Sequence, residues 1–136
     1  MISVLDASVA LSWCFADETT PETDRILVNI DQHDFYVPGL WSLEVGNILL
    51  LARKKERISA AIMTESLSLL ESLKIHTDTS TASRAFHQTL SLAQTHHLTT
   101  YDAAYLELAM RLGLPLATKD KALRKVCENL QVPLIF

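Results

Sequence analysis

The sequence is poor in the residues that divide a chain or cross-link it. It has 3 glycines and 4 prolines in 136 residues, and no Gly/Ser-rich tract or repeat separates one part from another. We therefore expect one domain over residues 1–136. The 2 cysteines, Cys14 and Cys127, lack the CxxC spacing of zinc sites. This spacing favours buried free thiols over a disulfide or a zinc centre.

Long hydrophobic runs and an excess of positive charge are also missing. Charged residues interrupt every apolar run well before it reaches the length of a membrane span, and Asp6 arrives before a signal-peptide core can form. We expect a cytoplasmic protein with no membrane contact. The net charge of −4 argues against a protein that holds nucleic acid by bulk electrostatics, although local basic patches remain compatible with it.

The sequence does contain short apolar segments that alternate with longer segments of helical period. Strands rich in β-branched residues are separated by longer segments with the 3.6-residue period. This alternation predicts an α/β fold with a central parallel sheet covered by helices on both faces. The predicted strands are residues 2–5, 35–38, 74–77, 115–118 and 132–136, and the predicted helices include residues 20–32, 40–55, 59–72 and 82–96.

Four carboxylates lie where these segments begin or end. Asp6 and Asp120 each follow a predicted strand, so they share one edge of the sheet and lie close together if their strands are neighbours. Glu44 and Asp102 fall in the first turns of two strongly apolar helices and can approach from the flanks. Four carboxylates without matching cations cannot all stay ionised unaided, and a hard divalent cation bound by oxygen is the usual remedy.

Three of these acids also have a structural explanation. Asp6 and Asp102 are good capping residues, because a carboxylate at the start of a helix meets unpaired N–H groups and the positive end of the helix dipole. Glu44 is compatible with the exposed edge of its helix. The apolar residues around it favour a partly buried carboxylate that needs a partner.

Four stretches of the chain together resemble the PIN-domain ribonucleases, in particular the VapC-type toxins of bacterial toxin–antitoxin pairs. No single stretch is specific, but their order, their spacing and the chain length match that family over nearly the whole sequence. The stretches are VLDASV at 4–9, EVGNIL at 44–49, TYDAAYL at 100–106 and LATKD at 116–120.

The resemblance implies both a fold and an activity. The fold is a three-layer α/β/α sandwich, usually homodimeric. The activity is a Mg²⁺-dependent endoribonuclease, with Mn²⁺ as a substitute, that cleaves RNA by a metal-activated water and is neutralised by a small cognate antitoxin. The catalytic acids of the family match Asp6, Glu44, Asp102 and Asp120 of this sequence.

Within that site we expect Asp6 and Asp102 to be direct metal ligands. Glu44 and Asp120 would act through water, support a second ion or orient the nucleophile. The residues expected to position waters are Ser8, Asn47 and Thr118, although each is equally explicable as a cap or turn residue. The cations expected at the RNA-binding rim are Lys119, Lys121 and Arg53.

Three other functions compete with this interpretation. A receiver-type signalling domain also collects acids and Mg²⁺ at a sheet edge, and Asp78 resembles its phospho-acceptor. Such a domain gives Glu44 no role, however, and the paired acids that it carries after its first strand are missing from this sequence. A haloacid-dehalogenase-type phosphatase needs two acids flanking one residue, which Asp6-Ala7-Ser8 does not supply. A non-catalytic, partner-binding PIN-like domain would not need all four acids.

Overall fold

The computed structural model describes all 136 residues and contains one four-stranded parallel sheet. The strands have the order β3-β2-β1-β4, and their buried apolar side chains belong to a core of 28 residues. The predicted α/β class with a parallel sheet is confirmed. The strands are β1 (Ile2–Leu5), β2 (Asp34–Val37), β3 (Ile75–Thr77) and β4 (Leu116–Ala117).

Helices connect consecutive strands and flank the sheet, as parallel pairing requires. Short 3₁₀ turns at Ala16–Glu18 and Ile30–Gln32 complete the first crossover. No helix is both long and apolar enough to cross a membrane. The helices are α1 (Ala7–Ser12), α2 (Pro21–Val28), α3 (Trp41–Lys54), α4 (Ala60–Ser72), α5 (Thr81–Arg84), α6 (Leu90–His96), α7 (Thr100–Leu112) and α8 (Lys121–Leu130).

The strand order reverses direction at β1. The chain first adds β2 and β3 on one side of β1 and then places β4 on the other side, with Val4 paired to Leu116 and Leu5 to Ala117. The residues that follow β1 and β4 are therefore neighbours at the carboxyl edge. Such a reversal point is where open α/β sheets bind ligands.

The predicted helix over residues 82–96 is not one regular α-helix. A π-helical segment at Ala85–Thr89 separates α5 from α6. A 3.6-residue period places Phe86, Leu90 and Ala93 on one face, but of these only Ala93 is buried, while Phe86 is 84% exposed. The wider π turn changes the rotation per residue, so a phase assigned with 3.6 residues per turn is wrong across it.

The predicted final strand is reduced to one bridge. Leu134 pairs with Leu116, the Leu116 N–H donates to the Pro133 carbonyl, and the Ile135 N–H donates to the Leu116 carbonyl. β4 itself is only two residues long, and Pro133 has no N–H to extend a ladder. The expectation of a regular fifth strand over 132–136 is therefore wrong.

An ion-pair network fastens the C-terminal half of α7. Glu107 is buried and accepts hydrogen bonds from the guanidinium groups of Arg84 and Arg111. Arg111 also forms two hydrogen bonds to Asp78, which follows β3, at 2.7 and 3.2 Å. Gly113 then ends the helix in the left-handed region, at φ 66°, which glycine adopts without steric cost.

Candidate active site

Asp6 lies at the reversal point of the sheet and is 4% exposed. It occupies the N-cap position of α1, yet its side chain makes no capping hydrogen bond. Its Oδ2 instead accepts hydrogen bonds from Ser8 Oγ at 2.7 Å and Thr118 Oγ1 at 2.6 Å. Burial raises the pKa of Asp6 above its ordinary value, while the two hydroxyl groups oppose this rise and Asp120 adds to it.

The two hydroxyl groups also tie Asp6 to the segment after β4. Ser8 Oγ accepts a hydrogen bond from the Lys119 N–H at 2.9 Å, and Thr118 Oγ1 accepts one from the Asp120 N–H at 3.0 Å. Each hydroxyl group donates to the carboxylate and accepts from the backbone, so its proton has one favoured direction. The orientation of Asp6 is thereby coupled to the position of Asp120.

Glu44 is half-buried in the first turn of α3 and has one side-chain partner. Tyr105, fully buried on α7, donates its hydroxyl hydrogen to Oε1 of Glu44 at 2.7 Å. Burial raises the pKa of Glu44, the hydrogen bond from Tyr105 lowers it, and the negative charge of Asp6 raises it again. Burial and Glu44 both raise the pKa of Tyr105, so this hydroxyl group stays protonated and remains a donor.

Asp102 enters from the start of α7, where Thr99 is the cap. The Thr99 hydroxyl accepts a hydrogen bond from the Asp102 N–H at 3.1 Å, which leaves the Asp102 carboxylate free of the capping role. Burial and the negative charges of Asp120, Asp6 and Glu44 raise the pKa of Asp102 to about 6. Burial and the three neighbouring negative charges thus both disfavour the charged form of Asp102.

Asp120 differs from the other three acids because it does cap a helix. Its Oδ2 accepts a hydrogen bond from the Leu123 N–H at 2.8 Å at the start of α8. Its charge still acts on Asp6 and Asp102. Asp120 therefore has a structural role and a place among the acids at the same time.

We call these four residues the acid cluster: Asp6, Glu44, Asp102 and Asp120. None of them forms a salt bridge with a lysine, arginine or histidine, although the chain forms such bridges elsewhere. Their mutual repulsion is thus unmatched by any protein cation. An oxygen-ligated divalent cation would supply the missing positive charge.

The donor set fits Mg²⁺ better than it fits a metal that needs many protein ligands. No three His, Cys, Asp or Glu side chains are arranged to hold one ion together. Mg²⁺ usually takes one or two carboxylates directly and keeps several waters, so the remaining acids can contact it through water. Two of the four acids as direct ligands would meet this preference of Mg²⁺.

Only some of the residues expected around the acid cluster contact it. Ser8 and Thr118 contact Asp6, as described, whereas Asn47 is exposed one turn beyond Glu44 and makes no hydrogen bond to it. Lys121 is exposed in the first turn of α8. Lys119 is partly buried, and its ammonium group donates to the Glu18 carbonyl. Arg53 lies nine residues beyond Glu44, about 14 Å further along α3.

A cleft between α3 and α7 opens beside the acid cluster. It has a volume of about 400 Å³. Glu44 belongs to both the cleft and the cluster, so the two are continuous. The α3–α7 cleft is lined by Leu40, Leu43, Glu44, Asn47 and Tyr101.

The largest cavity of the chain lies elsewhere. It measures about 600 Å³ and is lined by the π-helical segment, α6 and the second half of α7, including Arg84, Glu107 and Arg111. It contains none of the four acids. Size alone therefore does not locate the chemistry in this chain.

Tyr105 is the residue of the site that the sequence interpretation missed. Its position in the TYDAAYL stretch was treated only as part of an apolar helix face. A fully buried tyrosine needs a hydrogen-bond partner, and an acid in an equally apolar helix needs a donor. The need of Tyr105 for a partner and the need of Glu44 for a donor are the sequence signals that point to this contact.

The chain belongs to the PIN-domain family, whose model matches residues 3–129. This span contains all four acids of the cluster and both hydroxyl donors to Asp6. The parallel sheet, with its acids gathered at the reversal point, is the PIN-like fold.

Individual relatives agree with this assignment. The chain is 28% identical to Ribonuclease VapC3 of Pyrobaculum aerophilum over 134 residues, covering 96% of this chain and 98% of that protein. The crystal structure of PAE2754 from the same organism superposes with a TM-score of 0.66 at 26% identity, covering 92% of this chain and 86% of that one. The VapBC2 structure from Rickettsia felis, bound to a promoter DNA fragment, shares the fold at 11% identity and a TM-score of 0.64, over 98% and 96% of the two chains.

Proposed function

We propose that this chain is a metal-dependent endoribonuclease of the VapC type, which hydrolyses phosphodiester bonds of RNA. The observation that carries the proposal is the acid cluster at the reversal point of the sheet, with its unmatched negative charge. Membership of the PIN-domain family and similarity to a protein named as a ribonuclease support the same activity.

Asp6 and Asp102 would hold Mg²⁺, or Mn²⁺ in its place. When bound, the ion lowers the pKa of its water and neutralises charge on the phosphate. Ser8 and Thr118 keep the Asp6 carboxylate oriented, and Tyr105 does the same for Glu44. Glu44 and Asp120 complete the acid cluster by holding waters. Lys119, in the loop after β4, and Lys121, at the start of α8, would offset the repulsion of RNA by the acid cluster.

A cognate antitoxin is the proposed inhibitor, and a homodimer is the proposed assembly. The resemblance to VapC-type toxins, which act in toxin–antitoxin pairs, supports both proposals, and the VapBC2 structure shares the fold of this chain over nearly its whole length. A basic side chain of the inhibitor would match the acid cluster, since a guanidinium group can bridge two carboxylates. Apolar helix faces near the site would supply the rest of the contact.

The test is cleavage of labelled RNA by the purified chain with Mg²⁺, with Mn²⁺ and with EDTA. We expect cleavage with either metal and none with EDTA. Asp6→Asn and Asp102→Asn should each abolish cleavage while the fold remains, because neutral amides bind Mg²⁺ poorly. Asp24→Asn, an exposed acid on α2, is the matched control and should cleave like the wild type.

Full activity of both variants would refute the metal site. The receiver alternative predicts a different result, because such a domain gains a phosphoryl group from acetyl phosphate. An unchanged intact mass after that incubation, together with RNA cleavage, would exclude it. RNA that stays intact under all metal conditions, together with inhibitor binding, would favour the non-catalytic PIN-like domain.

A further inference from the structure

The α3–α7 cleft exposes apolar side chains directly beside the acid cluster. Leu43 is 81% exposed and immediately precedes Glu44, and Tyr101 is 62% exposed and immediately precedes Asp102. Both residues therefore share a helix turn with an acid but point away from the core. Leu40, Leu43 and Tyr101 line the same cleft, and apolar side chains grouped in this way mark ligand-binding grooves or interaction sites.

We propose that the α3–α7 cleft is a subsite for one nucleobase of the RNA, next to the cleaved phosphate, in which Tyr101 stacks on the base. The inference rests on the proposed function. An aromatic face stacks on any base, because every base has a π-face, and single-stranded nucleic acid is commonly held in this way.

The shape of the cleft favours a nucleotide over a protein segment. Its volume of about 400 Å³ matches a small-molecule site, and only five side chains line it. Leu40 and Leu43 contribute apolar surface to its lining, and Glu44 is shared with the acid cluster. An inhibitor helix or strand would need a longer apolar groove than these residues provide.

Asn47 gives the subsite a means of discrimination. Its side chain is exposed in the cleft, and none of the intramolecular hydrogen bonds of the chain uses its amide. A side-chain amide offers both a donor and an acceptor, which is the pattern needed to bond the edge of a base. We therefore assign stacking to Tyr101 and base preference to Asn47.

The test is a double-mutant cycle between protein and RNA. The probe is a fluorescein-labelled single-stranded RNA of mixed sequence, used intact and as a set in which one nucleotide at a time is abasic. Binding is measured by anisotropy in EDTA, so that cleavage does not interfere. In the wild type, we expect one abasic position to weaken binding by about 10- to 100-fold, and mapping with Mg²⁺ should place that position beside the cut.

Tyr101→Ala should weaken binding of intact RNA by a similar factor and make binding insensitive to the abasic position. Tyr101→Phe should bind like the wild type, since it keeps the ring. Phe86→Ala removes another exposed aromatic side chain, outside the cleft, and serves as the matched control. Asn47→Ala should change the preferred base at the cut without removing the Tyr101 effect.

The outcomes separate this inference from the activity on which it rests. Cleavage by the wild type combined with unchanged RNA binding by Tyr101→Ala overturns the subsite and leaves the nuclease in place. Stacking at one position without cleavage supports the subsite and refutes the nuclease. If Tyr101→Ala instead alters the oligomeric state or inhibitor affinity and leaves RNA binding unchanged, the cleft is a protein contact and the inference is wrong.

Discussion

The Tyr105 hydroxyl group reaches across from α7 to donate a hydrogen bond of 2.7 Å to Glu44 Oε1 on α3. The two residues are 61 positions apart in sequence. The bond fixes one oxygen of an acid whose pKa is raised by burial and by the charge of Asp6. It opposes that rise, because a hydrogen bond to the carboxylate favours its charged form.

Tyr105→Phe should therefore move the acidic limb of the pH–activity profile to higher pH. Loss of the donor removes a hydrogen bond to the charged form of Glu44, so the pKa of this acid should rise further. RNA cleavage should fall more at pH 6 than at pH 8. Tyr36→Phe, which removes a hydroxyl group from β2, is the control, and an identical pH profile in the two variants would contradict the assigned role.

Glu44→Gln should lose about 10- to 100-fold in cleavage, the range typical of residues that support a metal site. Glu65→Gln and Glu71→Gln, which alter exposed acids on α4, should retain activity. The three substitutions are chemically identical, so cleavage rates under one condition compare position alone. Equal losses in all three variants would mean that Glu44 is an ordinary surface charge.

The metal-free protein should become less stable as pH rises from about 4 to about 6. Asp102 has its pKa raised from 3.8 to about 6 in the folded chain, so the unfolded chain releases that proton first and stability falls across this window. The loss is half complete for the folded carboxyl group at its pKa of about 6 and levels off roughly one pH unit higher. Urea unfolding of the wild type and Asp102→Asn at pH 4, 5, 6 and 7 should show a steeper fall for the wild type.

Mg²⁺ should reverse that loss at pH 7, where it competes with no proton, and should do so less effectively at pH 5. The comparison uses the same unfolding experiment with saturating Mg²⁺. Parallel pH profiles for the wild type and Asp102→Asn, with no response to metal, would contradict the electrostatic account of the acid cluster.

Thr118→Val should destabilise the chain by about 1–3 kcal/mol, because it removes a donor from the buried Asp6 carboxylate and an acceptor from the Asp120 N–H. It should also weaken metal binding, measured by titration calorimetry. Thr118→Ser keeps the hydroxyl group and should restore most of both properties. Failure of the serine variant to do so would assign the effect to packing of the threonine methyl group.

The inhibitor should compete with the metal if its basic side chain enters the acid cluster. Saturating Mg²⁺ should then weaken binding of the cognate antitoxin, and replacing that basic residue by alanine should reduce inhibition. Affinity should depend only partly on salt, since apolar contacts are not screened. Unchanged binding and inhibition in both experiments would place the inhibitor elsewhere on the surface.

Local patterns were sufficient to predict most of the fold. A β-branched run that ends at Asp6 and continues into a helix needs no distant information, and neither does the Gly113 helix stop. The neighbouring positions of β1 and β4 were only a condition in the sequence argument. Strand order depends on packing between distant segments, and the structure supplies it.

The sequence prediction fails where the helix departs from the 3.6-residue period and where contacts join distant segments. A 3.6-residue period carried through the π-helical segment puts Phe86 on the same face as Ala93, yet Ala93 is buried and Phe86 is exposed. The network of Arg84, Glu107, Arg111 and Asp78 was not anticipated, although Glu107 and Arg111 have the i, i+4 spacing of helix ion pairs. Two of its partners come from outside α7, which no periodicity within one helix can indicate.

The helix α7 has an uncompensated carboxylate at one end and a matched set of charges at the other. Asp102 faces three like charges at the first turn, whereas two arginines balance Glu107 and Asp78 beyond the middle. The ion pairs that hold the second half of α7 in place can offset the repulsion around Asp102 in its first turn. Under the proposed function, the cation would therefore bind to a chain that is already folded, and it would supply the chemistry without having to assemble the site.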